Sequence, residues 1–459
     1  MSGNQTRAAL GDTVAMRRGA KLGVGWTLHG DGRTPRPGES VAPHERLSWG
    51  RTVGLGAQHV VAMFGATFVF PVLMGLDPNL AIMVSGLSTI VFLLVVQGRI
   101  PSYLGSSASF VGAVTVIRAG GGDSSTVTGA ILVCGVVLAA AGLVVHFAGP
   151  RVVHRLLPPA VSGAVVMLIG FNLAPVVAET YWPQDQWIAL ITMAVVLAGS
   201  LLLPGFWGRI AVFVALVAGF ALSWVFDRVF GMITSPDSSG AVVPHYRVDL
   251  GAVSEAGWFG FPELHAPSFE ATAIVVVLPA VIALIAENTG HVKAVEEMTG
   301  TDLDGSLGRA IFADGFTTAI SSAVGGPPTT TYAENIGVMA ATRVYSTAAY
   351  WVAAVVAVLF GLCPKFGAVI AATPGGVLGG ITVVLYGMIG LLGARIWVEN
   401  KVDFGDPVNL LPLAAGLIAG IGGVSLEITP SFTFSGIALG TVVTLVGYHV
   451  LRPLAPKRR

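Results

Sequence analysis

From about Val53 onward the chain alternates long apolar runs with short polar breaks, without the every-second-residue alternation of half-buried strands. The runs are long enough to cross a bilayer as helices, the form in which lipid leaves no backbone group unpaired. The pattern predicts an all-α polytopic membrane protein with about 14 transmembrane segments. They fall at 53–74, 79–97, 101–118, 127–148, 159–177, 186–204, 208–229, 272–292, 305–324, 330–344, 347–363, 366–392, 408–424 and 433–451. The third and tenth are short and carry small polar runs, Gly105-Ser106-Ser107-Ala108-Ser109 and Thr329-Thr330-Thr331-Tyr332-Ala333-Glu334-Asn335. Residues 1–50 are polar and rich in Gly, Arg and Pro, which predicts a mobile tail. The first apolar run begins too late for a signal peptide.

Composition narrows the function classes. Of 459 residues, 54% are hydrophobic and 11% charged, with a mean hydropathy of +0.77. Those values exclude a soluble enzyme, a disordered chain and a nucleic-acid binder. The formal net charge is zero, so position matters more than sum. With the N-terminus inside and 14 crossings, every Lys and Arg falls on the cytoplasmic side except Arg118, Arg228, Arg247 and Lys365. Both termini are therefore expected in the cytoplasm of a multi-pass cell-membrane protein. Cys134 and Cys363 lie in apolar runs without ligand spacing and read as packing residues.

The two odd segments resemble each other. Ala108–Arg118 (ASFVGAVTVIR) aligns with Ala333–Arg343 (AENIGVMAATR) through Ala, Gly and Arg. They are third of seven and tenth of fourteen, and an odd repeat unit makes the halves inverted. Paired interrupted segments in inverted halves mark transporters, with the substrate near the midplane.

Ionisable groups inside spans are the sharpest chemical signal, because each is costly unless paired or used. They are His59, Glu287, His291, Asp314 and Glu334. Glu287 and His291 are four apart and share a helix face: a carboxylate to accept from a polar ligand, an imidazole to relay a proton. Glu334 follows Gly325-Gly326-Pro327-Pro328 and precedes Gly337, so it stands near the start of a half-helix. From there its carboxylate is expected to tie segments 3 and 10 together (in register, if they are strands) by accepting hydrogen bonds, with Ser107, Ser109 and Thr331 as donors. Asp314 is expected to pair with Glu334 or its helix, or to cap a break at Gly315. No Walker loop, heme, iron–sulfur or zinc spacing is present, so no cofactor is expected.

Gln58-His59, Tyr103-Leu104-Gly105-Ser106-Ser107, Glu287-x-x-Gly290-His291 and Thr331–Arg343 resemble the nucleobase–ascorbate transporter (nucleobase:cation symporter-2) family, and within it the bacterial uracil permeases. The likeness runs from about Leu47 to Arg452. It implies two inverted repeats of seven segments, with short strands interrupting segments 3 and 10. It implies a core domain at 51–158 and 272–365, holding segments 1–4 and 8–11. A gate domain would lie at 159–230 and 366–452, an extracellular loop at 231–271, and cytoplasmic tails at 1–50 and 453–459. It implies a homodimer in a lipid bilayer that imports uracil with protons by alternating access. Glu287 would bind the pyrimidine ring, with backbone at Ala108 and Ala333 touching the base and Ala66, Ser107 and Tyr332 beside it. Glu334 would support the site, and the proton would be tied to Glu334, His291 and Asp314. Uracil members often carry Phe at Ala108 and Gly at Ala333, so this pocket differs in shape. Purine members usually have Gln-Asn in place of Glu334-Asn335, which favours uracil over xanthine or urate. An anion exchanger or channel of the related 14-segment fold would show a basic or neutral centre instead.

Overall fold

A computed structural model of the protein describes residues 24–33, 35, 39–204, 206–237, 241–429 and 432–455. It is mostly helical. In chain order the elements that matter here are β1 (Thr27–Leu28), β2 (Glu45–Arg46), α1 (Trp49–Met74), α2 (Pro78–Val95), β3 (Leu104–Ser106), α3 (Val111–Ala119), α4 (Ser124–Ala148), α5 (Pro159–Phe171), α6 (Gln186–Leu202) and α7 (Ala211–Phe230). The β4–β5 hairpin (Ile233–Pro236, Val242–His245) leads to α8 (Ala271–Val277), α9 (Ala280–Thr299), α10 (Leu307–Ala323), β6 (Thr329–Thr331) and α11 (Ala333–Thr342). There follow α12 (Thr347–Gly361), α13 (Pro364–Ala371), α14 (Gly375–Glu399), α15 (Pro407–Ile421), the β7–β8 hairpin (Ser425–Thr429, Phe432–Ser435) and α16 (Gly436–Leu454).

Among the described residues eight helices are long and apolar enough to cross a membrane, or nine if the bent pair α12–α13 counts as one. Large apolar side chains such as Phe147 and Leu201 stay more than 80% exposed, as lipid-facing residues do. Acidic caps start several helices: Asp77, Asp123, Asp185 and Asp406 each accept from an N–H of the first turn. One expected segment starts in the wrong place. The run 366–392 divides, because Pro364 opens a short helix bent 84° from α12. Thr373 and Pro374 then separate it from α14, which starts at Gly375.

The helices pack as two bundles. In the first, α4 lies along α10, and α12 lies against α1 and α2. In the second, α14 packs on α5 and α6, and α15 on α16. They meet where α5 touches α9, α7 touches α1 and α16 touches α3. Glycine sets the closest approach. A methyl at Gly135 would lie 2.6 Å from the backbone nitrogen of Ala319. At Gly142 and Gly315 it would run into the backbone nitrogens of Phe312 and Ala139. Small residues are how helices attract in lipid, where burial of apolar surface gives no drive. The Gly315 contact fixes the depth of Asp314 beside it.

The connection 231–270 spans both bundles. Arg247, half-buried, reaches Asp185 Oδ2 at 2.7 Å and Asp227 Oδ1 at 3.1 Å in the second bundle. Val248 N–H donates to Asp227 Oδ2 at 2.9 Å. Farther along, Lys365 N–H donates to the Gly257 carbonyl, Gly260 N–H to Leu362 and Ser268 N–H to Ser125, all in the first bundle.

The expected mobile tail at 1–50 requires correction over its described part, while residues 1–23 lie outside the described residues. Thr27 and Leu28 pair in parallel with Glu45 and Arg46. Val41 exchanges backbone hydrogen bonds with Arg343 and Tyr345 at 2.9 and 2.8 Å, and Trp26 Nε1 donates to Thr347 Oγ1 at 2.7 Å. Composition missed this because the turn from α11 to α12 leaves backbone groups and Val344 in need of cover, which Val41 and Leu47 give.

Glu45 holds that cover in shape. Burial alone would raise its carboxyl, but hydrogen bonds from the Ala42 N–H and from His29 outweigh it and keep the group below its ordinary value of 4.5. A carboxyl lowered by folding stabilises above its unfolded value, and that stability disappears as pH falls through the folded one. Amide exchange at Tyr345, measured at constant intrinsic rate, should therefore accelerate below about pH 4.5. In Glu45→Gln the acceleration should be absent.

Candidate binding site

The centre of the first bundle is a two-stranded ribbon. β3 and β6 run antiparallel with Leu104 opposite Thr331, Gly105 opposite Thr330 and Ser106 opposite Thr329, all buried. Ser107 N–H donates to the Pro328 carbonyl and Tyr332 N–H to the Tyr103 carbonyl, both at 3.0 Å, which extends the ladder at each end. Pro327 and Pro328 enforce extended entry, and three β-branched threonines continue it. Each strand then turns into a half-helix, α3 beyond Ala108–Phe110 and α11 at Ala333.

Two strands alone leave their outer edges unpaired, which the protein interior does not tolerate. Hydroxyls from neighbouring helices close them. Leu104 N–H donates to Thr89 Oγ1 on α2 at 2.9 Å. On the far edge, Thr318 of α10 accepts from Thr329 N–H at 3.1 Å and donates to its carbonyl at 3.0 Å. Tyr332 locks the ribbon across its face. Its hydroxyl donates to the Ser106 carbonyl at 2.8 Å, and its ring fills the space over Gly105 that a side chain there would need.

Around the ribbon stand the ionisable groups. Glu287 on α9 is half-buried, and Ser109 Oγ donates to its Oε2 at 3.4 Å. His291, one turn on, shares a 2.7 Å hydrogen bond with Thr331 Oγ1. Asp314 is fully buried and accepts from Asn288 Nδ2 at 2.5 Å. The Thr330 hydroxyl lies between Glu287 and Asp314 without a bond of good geometry to either. Glu334 sits in the first turn of α11, exposed, where the positive end of a helix favours an acid. Glu287 feels the charges of both Asp314 and Glu334, so the three carboxyl groups form one electrostatic cluster. His59 stands apart: Asn335 Nδ2 donates to its Nδ1 and its carbonyl, each at 3.1 Å, and the Tyr350 ring lies 4.3 Å away.

The permease-family model Xan_ur_permease matches residues 50–428. The chain belongs to this permease family. It is the nucleobase:cation symporter-2 family of the sequence resemblance, whose members are transporters and not enzymes. The permease is 44% identical over 408 residues to "Putative pyrimidine permease RutG" of Escherichia coli K12, covering 87% of this chain and 89% of that one. It is 36% identical to "Uracil permease" of Bacillus caldolyticus (87% and 91%) and to "Uracil permease" of Escherichia coli K12 (88% and 92%). In fold it resembles the transmembrane domain of a cyanobacterial bicarbonate transporter, BicA, with TM-score 0.58 at 15% identity over 87% and 96% of the two chains. It also resembles the murine anion transporter Slc26a9 in its inward-facing state, at 0.63, 12%, 88% and 68%. Spans and relatives together make it a multi-pass membrane protein.

The structure gathers most of the expected residues but gives some of them other partners. Ser107 and Tyr332 are buried, and their polar atoms go to internal hydrogen bonds: Ser107 Oγ caps Ser109 N–H at 3.3 Å. Ala66 is buried on α1, while Ala108 and Ala333 are half-buried where the strands become helices. Glu334 does not hold the strand register, because Ser109 turns to Glu287 and Thr331 to His291. Its carboxylate makes no hydrogen bond or ion pair among the described residues. Asp314 pairs with Asn288, not with Glu334 or a break at Gly315. Sequence reading passed over Asn288, Asn335, Thr89 and Thr318. The signal was available for the two asparagines, since an amide in a membrane span needs a partner as a carboxylate does.

Removing the Thr318 hydroxyl leaves both backbone groups of Thr329 unpaired, a cost of roughly 1–3 kcal/mol for each buried group. Thr318→Val should lower the unfolding temperature of the detergent-purified permease. Thr318→Ser keeps the hydroxyl and should recover most of the loss.

Proposed function

We propose that the permease imports uracil across the cytoplasmic membrane in symport with protons, by alternating access of the two bundles. The observation that carries this reading is Glu287. It is a carboxylate beside a strand ribbon, with Ser109 donating to it and Asp314 and Glu334 within electrostatic reach. Uracil presents two ring N–H donors and two carbonyl acceptors. A carboxylate accepts from the N–H groups, while N–H groups at the strand–helix turns near Ala108 and Ala333 donate to the carbonyls. The names of the relatives, uracil and pyrimidine permeases matched along most of their length, support the same substrate. The likeness to bicarbonate and anion transporters concerns the fold, and an acidic centre suits a neutral base better than an anion.

In this reading the chain crosses the membrane 14 times as two inverted repeats. The order of elements supports it: seven segments from α1 to α7, seven from α8–α9 to α16, with β3–α3 third and β6–α11 tenth. The distribution of Lys and Arg supports a cytoplasmic side for both termini. Uptake of labelled uracil challenged with unlabelled uracil, xanthine or chloride tests the substrate. Competition by uracil alone is expected; competition by xanthine or chloride would move the assignment.

Glu287→Gln should remove uracil binding while the protein still elutes as a folded species. The amide turns an N–H toward the ligand's own N–H, a mismatch of roughly 1–3 kcal/mol or more, hence a loss of about fivefold to beyond a hundredfold. Isothermal titration of purified variant and wild type reads it directly.

Glu334 is proposed to act in the proton step. A neutral substrate is concentrated only with a coupled ion, and grouped membrane carboxyls are where a proton can be held. Glu334→Gln should retain part of the uracil affinity but flatten the pH dependence of uptake into liposomes between roughly pH 5 and 8. A variant with the wild-type profile would place the proton elsewhere.

A further inference from the structure

The seam between the bundles contains a polar group that the account above leaves unused. α5 stops at Phe171, and the chain continues through Asn172 and Leu173 into short helical turns of irregular pitch. Asn172 therefore stands at a break in a gate-side helix that packs against α9, which carries Glu287. Among the described residues its side-chain amide makes no hydrogen bond. An amide has two donors and an acceptor, and at this half-buried position they are open to a polar group entering the seam.

What it faces is a cavity of about 30 Å³ between the bundles. Asn172 forms one wall and Ser109, the donor to Glu287, another. The remaining walls are pared down. A methyl at Gly112 of α3 would lie 2.9 Å from Asn172 Nδ2, and one at Gly436, at the start of α16, would lie 3.4 Å from Asn172 Oδ1. Both glycines give the amide room to reach in. The cavity has space for roughly one or two waters, not for a six-membered ring. Its size suits one exocyclic group of a ring, and Ser109 is the residue that joins its wall to Glu287.

We propose that Asn172 is a specificity-determining residue on the gate side, hydrogen-bonding the exocyclic carbonyl of a pyrimidine base whose ring N–H groups face Glu287. The proposal rests on the uracil reading and adds a second face to it. Glu287 and the strand turns belong to the first bundle, whereas Asn172 belongs to the second. A base gripped by both reports the closure of the seam. The small walls also limit what the base can carry at that edge.

The test compares uracil with cytosine, which replaces one exocyclic carbonyl by an amino donor and the adjacent ring N–H by an acceptor nitrogen; the second change faces Glu287 in wild type and variant alike and cancels when their preferences are compared. Inhibition constants are measured for wild type, Asn172→Asp and Gly112→Ala in proteoliposomes, with purified protein checked by size exclusion. Asn172→Asp removes the donors and adds an acceptor. It should weaken uracil about tenfold or more and shift the cytosine-to-uracil preference toward cytosine by a similar factor. Gly112→Ala displaces the amide without altering it, and should weaken uracil with less change in preference. A residue that only supports the fold would change both bases by the same factor, and that outcome overturns the proposal. So do variants whose constants stay within about twofold of wild type. Wild type that takes neither base would overturn the uracil reading itself, and this proposal with it. Wild type that takes uracil beside unaffected variants overturns the role of Asn172 alone.

Discussion

A two-stranded ribbon in the middle of a membrane protein has two open edges, and every part of the site depends on closing them. Water would satisfy such edges on a soluble protein, and more strands would do so in a sheet. Here side chains of neighbouring helices take that part. Thr89 closes one edge, Thr318 the other, and Tyr332 bridges the face. The ribbon in turn fixes where α3 and α11 begin, and therefore where Ala108, Ala333 and Glu334 stand. The hydroxyls that close it come from α2 and α10, so the ribbon cannot shift without those helices. Substrate chemistry is thereby built on a rigid frame, although its backbone is irregular.

The same frame explains the separation of the acids. Asp314 lies behind the ribbon, sealed by Asn288 and by the glycine contact of α10 with α4. Glu287 lies beside the ribbon and is partly open, and Glu334 lies at a helix start and is open. Three carboxyl groups within electrostatic reach thus differ in access. A proton exchanging with the surroundings meets Glu334 and Glu287 before Asp314.

Much of this was legible in the sequence, and the reasons for success and failure are physical. Apolar runs found the helices because lipid forces that pattern. Intramembrane acids stood out because their cost is large. The strands were legible as small polar runs after Pro327-Pro328, although their pairing partners were not. Hydroxyls of Thr89 and Thr318 are ordinary in apolar helices, and nothing local marks them as edge caps. The fastening of residues 24–50 was hidden for a related reason. Its partners are the turn at Arg343–Thr347, some 300 residues away, and composition carries no information about such pairings. The start of α14 was misjudged because Pro364 and Pro374 punctuate a run whose hydropathy barely changes.

The connection at 231–270 works as a leash. One end is fastened to the second bundle at Arg247 and Val248, the other to the first bundle, where Lys365 Nζ donates to the Val253 carbonyl and backbone bonds follow from Gly257 onward. Between them lie a few residues, five of them wound into the short helix Gly251–Glu255. Unwinding that helix from about 1.5 to about 3.4 Å per residue yields roughly 10 Å of slack. A displacement larger than that, beyond the release of Val253 by Lys365, would have to pull Arg247 from two aspartates. The length of that loop limits any displacement of one bundle against the other.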